Sequence, residues 1–298
     1  MYPAPFRYHR PASLTEATLM LSALGETAKP LAGGQTLIPI LKLRMDEVSD
    51  LVDIGRLEGL SHVRKEDGFV QIGALSRHGW IARQDIATEI PILRDCAGGI
   101  ADTQVRSRGT IGGSVSAADP NCDWPALLNT LDAEVLCTGP EGDRRIKIGD
   151  FITDAYTTTL NVGELVTAIR FKAPPAGSGG AYIAYKKAAS AFPVCSTGIQ
   201  MTLGAGGVCE DIRIVLGGAG PTARRALAAE AEVKGKALTK ELWERAAEAA
   251  LTIAEPTGDV RGSTEFKRQM LRGLLLQTAG VAERRCANTK IEGSHIYA

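Results

Sequence analysis

The sequence predicts a loop-rich chain of mixed α-helix and β-strand, divided into two domains. Three observations predict it. Short apolar runs of strand length are interspersed with apolar-periodic stretches of helix length. Glycine is plentiful (33 residues) and aromatics sparse, at 5% of 298 residues, which suits many tight turns rather than one all-helical core. Composition then shifts abruptly at 173–180, Ala-Pro-Pro-Ala-Gly-Ser-Gly-Gly, the strongest linker signal in the chain. The expected domains are 1–175 and 176–290, with a tail at 291–298.

Taken in order, Ser13 with Glu16 reads as a capping box opening a helix over 14–24, and Gly25 ends it. A strand at 30–32 runs into Gly33-Gly34-Gln35-Thr36-Leu37, followed by an apolar segment with a basic tail, 38–44. Residues 51–54 form a strand, and 63–75 two strands joined at Asp67-Gly68, a hairpin signal. Ser76 is placed to cap a helix carrying Trp80 and Ile81, and a further helix covers 92–100. A turn-rich stretch, 108–123, follows. Residues 124–132 read as a helix with Pro125 in its first turn, 133–148 as a hairpin and 164–171 as a strand. Beyond the linker come strands near 182–186, 194–203 and 208–216, with a turn at 204–207. Helices over 240–254 and 263–285 close the chain.

Lys plus Arg and Asp plus Glu both number 34, which removes the electrostatic argument for nucleic acid or an anionic membrane surface. No apolar run approaches the roughly 18–20 residues of a membrane span, and the first ten residues hold no hydrophobic signal core. The six cysteines are scattered with no C-x-x-C pair, and the four histidines lack metal-ligand spacing. Reduced cysteines in a cytoplasmic protein are the expectation.

Two stretches carry chemistry. Residues 108–123 hold Gly112 and Gly113, the hydroxyls of Thr110, Ser114 and Ser116, and the carboxylates of Asp119 and Asp123. Glycines let backbone amides approach a ligand, hydroxyls and successive amides hold an anion, and a carboxylate accepts from sugar hydroxyls. Gly33-Gly34-Gln35-Thr36 follows a strand and has the same logic. A structural turn explains either stretch alone, but two in one domain point to a diphosphate-bearing nucleotide. Gly218-Ala219-Gly220-Pro221-Thr222-Ala223 fits a loose dinucleotide pattern, but lacks the acidic residue at a second strand end that a Rossmann site requires. Lys186-Lys187 reads as a solvated pair or as electrostatic support for a reduced flavin, Phe192 as core packing or ring stacking, and His78 as a surface or capping residue. No Ser–His–Asp or Cys–His arrangement can be argued.

At these residues the chain resembles the medium, FAD-binding subunits of molybdenum-containing hydroxylases, the group of carbon monoxide dehydrogenase and bacterial xanthine dehydrogenase. The matching motifs are Ala32-Gly33-Gly34-Gln35-Thr36-Leu37-Ile38-Pro39 with Lys42-Leu43-Arg44, and Ile100-Ala101-Asp102-Thr103-Gln104-Val105-Arg106 running through Gly109-Thr110-Ile111-Gly112-Gly113 to Asp119-Pro120 and Asp123. Shorter likenesses, such as Gly179-Gly180-Ala181-Tyr182 and Leu216-Gly217-Gly218, extend over nearly the whole chain.

The resemblance implies an α+β fold. Its first part is an FAD-binding domain of the p-cresol-methylhydroxylase or vanillyl-alcohol-oxidase type, made of two α/β subdomains. A C-terminal three-stranded sheet with a helical bundle follows. It implies noncovalent FAD whose pyrophosphate is clasped by Lys29, Pro30, Leu31, Ala32, Gly33, Gly34, Gln35, Thr36 and Leu37 on one side. Thr110, Ile111, Gly112, Gly113 and Ser114, with Ala117 and Asp119, form the other. By the same resemblance Asp123 holds the ribose or adenine end, Ile100 lies near the ring system, Phe192 flanks the isoalloxazine and Lys187 contacts the cofactor. One departure stands out: where relatives have an Arg-rich run ending in Asp-aromatic, this chain has Ala191-Phe192-Pro193. The implied partners are a small [2Fe–2S] subunit and a large molybdenum-cofactor subunit in a dimer of heterotrimers. Electrons would pass through FAD to an acceptor such as NAD, quinone or oxygen. A stand-alone flavin oxidase of the same fold and a non-enzymatic nucleotide-binding module are the competing readings.

Overall fold

The computed structural model describes residues 2–291 and 295–297. The tail expected at 291–298 therefore lies partly outside the described residues.

Its first third runs β1 (Arg7–His9), α1 (Leu14–Leu24), β2 (Ala28–Leu31), α2 (Leu37–Leu43) and β3 (Asp50–Asp53). The strands form a parallel sheet in the order β1-β3-β2. The capping box is realised: Ser13 Oγ accepts from the Glu16 amide at 3.1 Å, and Glu16 reaches back to the Ala12 amide at 2.6 Å. Gly25, at φ +77°, ends the helix in a conformation that a side chain would disfavour.

Next come β4 (Val63–Glu66), β5 (Phe69–Gly73), α3 (His78–Ile81), α4 (Ile86–Glu89), α5 (Pro91–Gly99), α6 (Thr103–Arg108), α7 (Ile111–Ala117) and α8 (Asp123–Thr130). They lead to β6 (Glu134–Gly139), β7 (Gly142–Lys147), α9 (Ile148–Phe151), β8 (Ile152–Asp154), β9 (Thr157–Thr158) and β10 (Leu165–Lys172). A five-stranded antiparallel sheet results, β4-β5-β10-β6-β7. Asp67 and Gly68 both take positive φ, 51° and 76°, as a two-residue hairpin turn requires. Two expectations need correction. Ser76 caps no helix: its hydroxyl donates to the His62 carbonyl, and α3 starts after Arg77. The stretch 108–123 is not one long turn, because it contains all of α7 and ends at the start of α8.

The last third comprises β11 (Ser178–Lys186), β12 (Cys195–Leu203), β13 (Cys209–Gly217), β14 (Arg224–Arg225), α10 (Leu227–Val233), α11 (Lys240–Leu251), α12 (Thr264–Cys286) and β15 (Ile296–Tyr297). Three nine-residue strands form the body of the sheet, with β14 and β15 as two-residue edges. The expected linker is shorter than its composition suggests, since Ser178, Gly179 and Gly180 belong to β11. Gly179 and Gly180 are there for close approach. A Cβ at Gly179 would lie 2.2 Å from the Ala282 carbonyl oxygen of α12, and one at Gly180 2.1 Å from Gln200 Oε1.

The apolar core continues across the two parts. Tyr182, Ala184 and Val215 pack into the cluster built mainly from β5, β6, β10 and α5–α8. A second cluster joins the other faces of β11–β13 to α10–α12. Between the two parts lies a buried ion pair: Arg285 of α12 grips Asp95 of α5 through two bonds of 2.6 and 2.9 Å and also donates to the Gly180 carbonyl. Among the described residues no helix is long and apolar enough to cross a membrane.

Candidate functional site

The fold brings the two glycine stretches into direct contact. Gly33 follows β2 and packs against the turn between α6 and α7. A Cβ there would sit 2.2 Å from the Arg108 carbonyl oxygen and 2.9 Å from Gly109 Cα. No residue other than glycine fits without moving backbone. Gly34 turns the chain at φ +74°, and Gln35 closes the turn by donating from Nε2 to the Gly33 carbonyl at 3.2 Å. The amides of Gly33, Gly34, Gln35, Thr36 and Leu37 meet no acceptor among the described residues, while those of Ile38 and Ile40 bond back to Gly34 and Thr36. Five successive free donors beside a half-buried Thr36 hydroxyl suit a diphosphate. Lys29, half-buried on β2, is paired with Asp46 at 3.5 Å, whereas Pro30, Leu31 and Ala32 carry the strand into the turn.

The second stretch works differently from its sequence reading. Gly112 and Gly113 do not offer bare amides. The Gly112 N–H donates to the Ala74 carbonyl at 2.9 Å, and the Gly113 N–H to the Thr110 hydroxyl at 3.2 Å. The Ile111 and Ser114 amides are likewise spent, on Ser76 and Thr110. Thr110 is the N-cap of α7, and Gly112 is small so that the helix can lie on the end of β5: a Cβ there would be 2.5 Å from Ala74 Cβ. What this stretch presents outward is an exposed Gly113 with the half-buried Ser114 hydroxyl and Ala117. Asp119 accepts from the Asn121 amide at 2.8 Å and from the Tyr156 hydroxyl at 3.2 Å.

Asp123 lies apart from solvent. It is 4% exposed, accepts from the Tyr182 hydroxyl at 3.1 Å and sits 3.4 Å from Lys186 Nζ. Lys186 is fully buried and donates to the Gly99 carbonyl at 2.7 Å. This corrects the reading of the lysine pair: Lys186 is not solvated, and Lys187 is the exposed member, its ammonium donating to the Val260 carbonyl at 3.0 Å. Phe192 is 47% exposed, so it is not a core residue.

Two cations lie outside the site residues expected from the sequence, although Lys186 is weighed there as one of a pair. Lys186 holds the Gly99 carbonyl, and Arg106 donates to the Ile100 and Ala101 carbonyls at 2.8 and 2.6 Å. Three successive carbonyls around Ile100 are thus fixed, including Ala101 at φ +41°. The available signal for Lys186 was its place at the end of an uninterrupted strand of small and apolar residues, where a lysine has no solvated face.

His78 is also buried rather than superficial. Its Nδ1 accepts from Trp124 Nε1 at 3.0 Å, and Gly109 is small to clear its ring, 2.7 Å from an added Cβ. Burial, with Arg106 second, pushes its pKa down to about 4. The unfolded chain takes up this proton near pH 6.5. Stability is therefore fully present above about pH 6.5 and is lost as pH falls towards about 4, by an amount on the order of 3 kcal/mol. Urea unfolding of wild type and His78→Phe across this window is expected to show a steeper acid decline in wild type. Equal slopes would remove His78 as the cause.

Cys122, next to Asp123, is buried, and burial pushes its thiol up to about 12, which leaves little thiolate for a covalent flavin link.

A family profile described as the FAD binding domain in molybdopterin dehydrogenase matches residues 4–174, and the CO dehydrogenase flavoprotein C-terminal domain matches 180–280. The chain is similar to the carbon monoxide dehydrogenase medium chain of Afipia carboxidovorans, 38% identical over 97% of this chain and all of that one. It is 34% identical to subunit alpha of the 6-hydroxypseudooxynicotine dehydrogenase complex of Paenarthrobacter nicotinovorans, covering 99% and 100% of the two chains. A chain of the carbon monoxide dehydrogenase of Hydrogenophaga pseudoflava, solved without the Mo-pyranopterin moiety, superposes with a TM-score of 0.93 at 39% identity, over 96% of this chain and all of that one. With an FAD-binding domain joined to a CO dehydrogenase flavoprotein C-terminal domain, the chain belongs to the FAD-binding medium subunits of the molybdenum hydroxylase family and is an oxidoreductase subunit of the carbon monoxide dehydrogenase medium-chain type.

Proposed function

We propose that this chain is the electron-transfer flavoprotein of a three-subunit molybdenum hydroxylase. Electrons from the [2Fe–2S] clusters of a small partner subunit would pass to noncovalent FAD here, and then to an acceptor such as NAD, quinone or oxygen. The molybdenum cofactor and the hydroxylation chemistry would lie in a large partner subunit, within a dimer of heterotrimers. The observation that carries the reading is the contact of Gly33 with Arg108 and Gly109, beside five open amides in an FAD-binding domain.

FAD supplies the redox chemistry, and the protein's share is binding, orientation and electrostatics. The amides from Gly33 to Leu37, with the Thr36 and Ser114 hydroxyls, would hold the diphosphate. Lys186 and Arg106 fix the backbone at Gly99, Ile100 and Ala101, where the ring end is expected. Asp123 would act mainly by holding Tyr182 and Lys186, as its carboxylate is enclosed. Phe192 is free to cover a planar ring because its side chain is exposed. No acid–base step is required of any residue in this scheme. The FAD-binding part is assigned to 1–175 and the C-terminal part to 176–290.

Co-purification with the two partners should give one FAD per chain, released intact by heat or acid denaturation. Iron and molybdenum should leave with the partners on dissociation. A colourless complex would overturn the reading, and substrate turnover by the isolated chain would favour a stand-alone oxidase instead.

A further inference from the structure

A second concavity borders the Gly33 contact. A cavity of about 780 Å³ is walled by the loop after β3 and by α3 and α6, with Arg56, Arg77, Trp80, Arg83 and Arg106 in its lining. It is continuous through Gly55, Arg56, Leu75 and Arg77 with a smaller cleft of about 250 Å³ bounded by Ala32, Gly33, Arg108 and Thr110.

Its charge is unusual for a chain of zero net charge. Five arginines line the two chambers, against two acidic residues. The two are Asp53, which accepts from the Tyr8 hydroxyl and the Gly55 amide, and Glu58. Arg106 is committed to backbone carbonyls. Arg56, Arg77, Arg83 and Arg108 belong to none of the ion pairs found among the described residues. Elsewhere most arginines are paired, as Arg144 is with Glu164 and Arg272 with Glu248. Like charges in excess of their counter-charges repel, and the arrangement is relieved by a bound polyanion. Guanidinium forks match phosphate oxygens in pairs, and Trp80, half-buried on one wall, offers an aromatic surface. The volume falls within the roughly 300–1,000 Å³ of small-molecule sites.

We propose that this cleft is a second anion site, shaped for a nucleotide whose phosphates meet Arg56, Arg77 and Arg83 and whose base lies against Trp80. Its larger chamber, at Arg56, Trp80 and Arg83, holds none of the clasp residues, and its smaller one adjoins the clasp at Ala32, Gly33 and Thr110. Occupancy would therefore bear on the same turn that positions the clasp.

The test uses the FAD-loaded complex, with flavin absorbance as an internal control, titrated with ADP and with inorganic pyrophosphate by calorimetry at low salt. ADP is expected to bind at one site per chain with a Kd below about 1 mM, more tightly than pyrophosphate, and to weaken as salt is raised. Arg56→Gln/Arg83→Gln should weaken ADP at least about tenfold. Both side chains are exposed, so flavin content should not change. Undiminished ADP binding in the double variant would overturn the site. Pyrophosphate binding as tightly as ADP would overturn the nucleotide assignment. Stoichiometric release of FAD by ADP would place the anion in the flavin clasp instead. Loss of the iron–sulfur partner from the double variant, with no ADP binding in wild type, would reassign the arginines to a protein contact.

Discussion

Gly33→Val is expected to empty the flavin site in a chain that still folds. The argument is steric. Even the first carbon of the new side chain would lie 2.2 Å from a backbone oxygen, that of Arg108, and no rotamer can move it. Either the turn after β2 or the turn before α7 must retreat, and both are jaws of the clasp. Loss of their alignment should weaken FAD by at least about 100-fold, close to 3 kcal/mol. Flavin absorbance after gel filtration reads the loss, and circular dichroism with the melting temperature shows whether the fold survives. Gly113→Ala supplies the contrast. Its Cβ would meet only the Thr110 hydroxyl, at 2.8 Å, on an exposed face, so it should disturb one cap bond and retain most of the flavin. Gly112→Ala falls between them, since its Cβ would strike Ala74 and lift α7 off β5. Flavin affinity within about threefold of wild type in Gly33→Val would mean that the contact between the turns is not what shapes the site.

Local signals in the sequence were reliable wherever the chain answers to its own neighbours. The capping box at Ser13 and the Asp67-Gly68 hairpin depend on residues within four positions of one another, and each is present. The two glycine stretches were also legible, because the need for missing side chains is written in the residues themselves. What could not be read was which partner each glycine accommodates. Gly33 is small for Arg108, which is 75 positions away, and Gly112 for Ala74, 38 positions away. An amide's availability depends on a tertiary acceptor, so Gly112 looked open when Ala74 already claims it. The same blindness hid Lys186. Lys186 is the last residue of β11, a strand buried on both faces, whereas Lys187 lies beyond it, and only Asp123 and the Gly99 carbonyl, both distant in the chain, account for the buried charge.

Removing the Lys186 ammonium should be among the most destructive single changes available to this chain. In Lys186→Met the side-chain length is nearly kept, so packing against the strand is preserved and the loss is electrostatic. Asp123, 4% exposed, would remain buried with only the Tyr182 hydroxyl and the start of α8 to support its charge. The Gly99 carbonyl would lose its donor at the same time. Breaking a buried pair from one side costs about 3–5 kcal/mol, because an uncompensated charge stays behind. Asp123→Asn added to Lys186→Met removes that charge, and the double variant should therefore recover part of the stability lost by the single one. Chemical denaturation of the four proteins gives the coupling directly. Additive losses, with no recovery in the double variant, would show that the two groups are merely neighbours. The pair also bears on the placement of Ile100: its backbone follows the carbonyl that Lys186 holds, so flavin affinity in Lys186→Met should fall with stability and should not return with Asp123→Asn, which leaves that carbonyl without its donor.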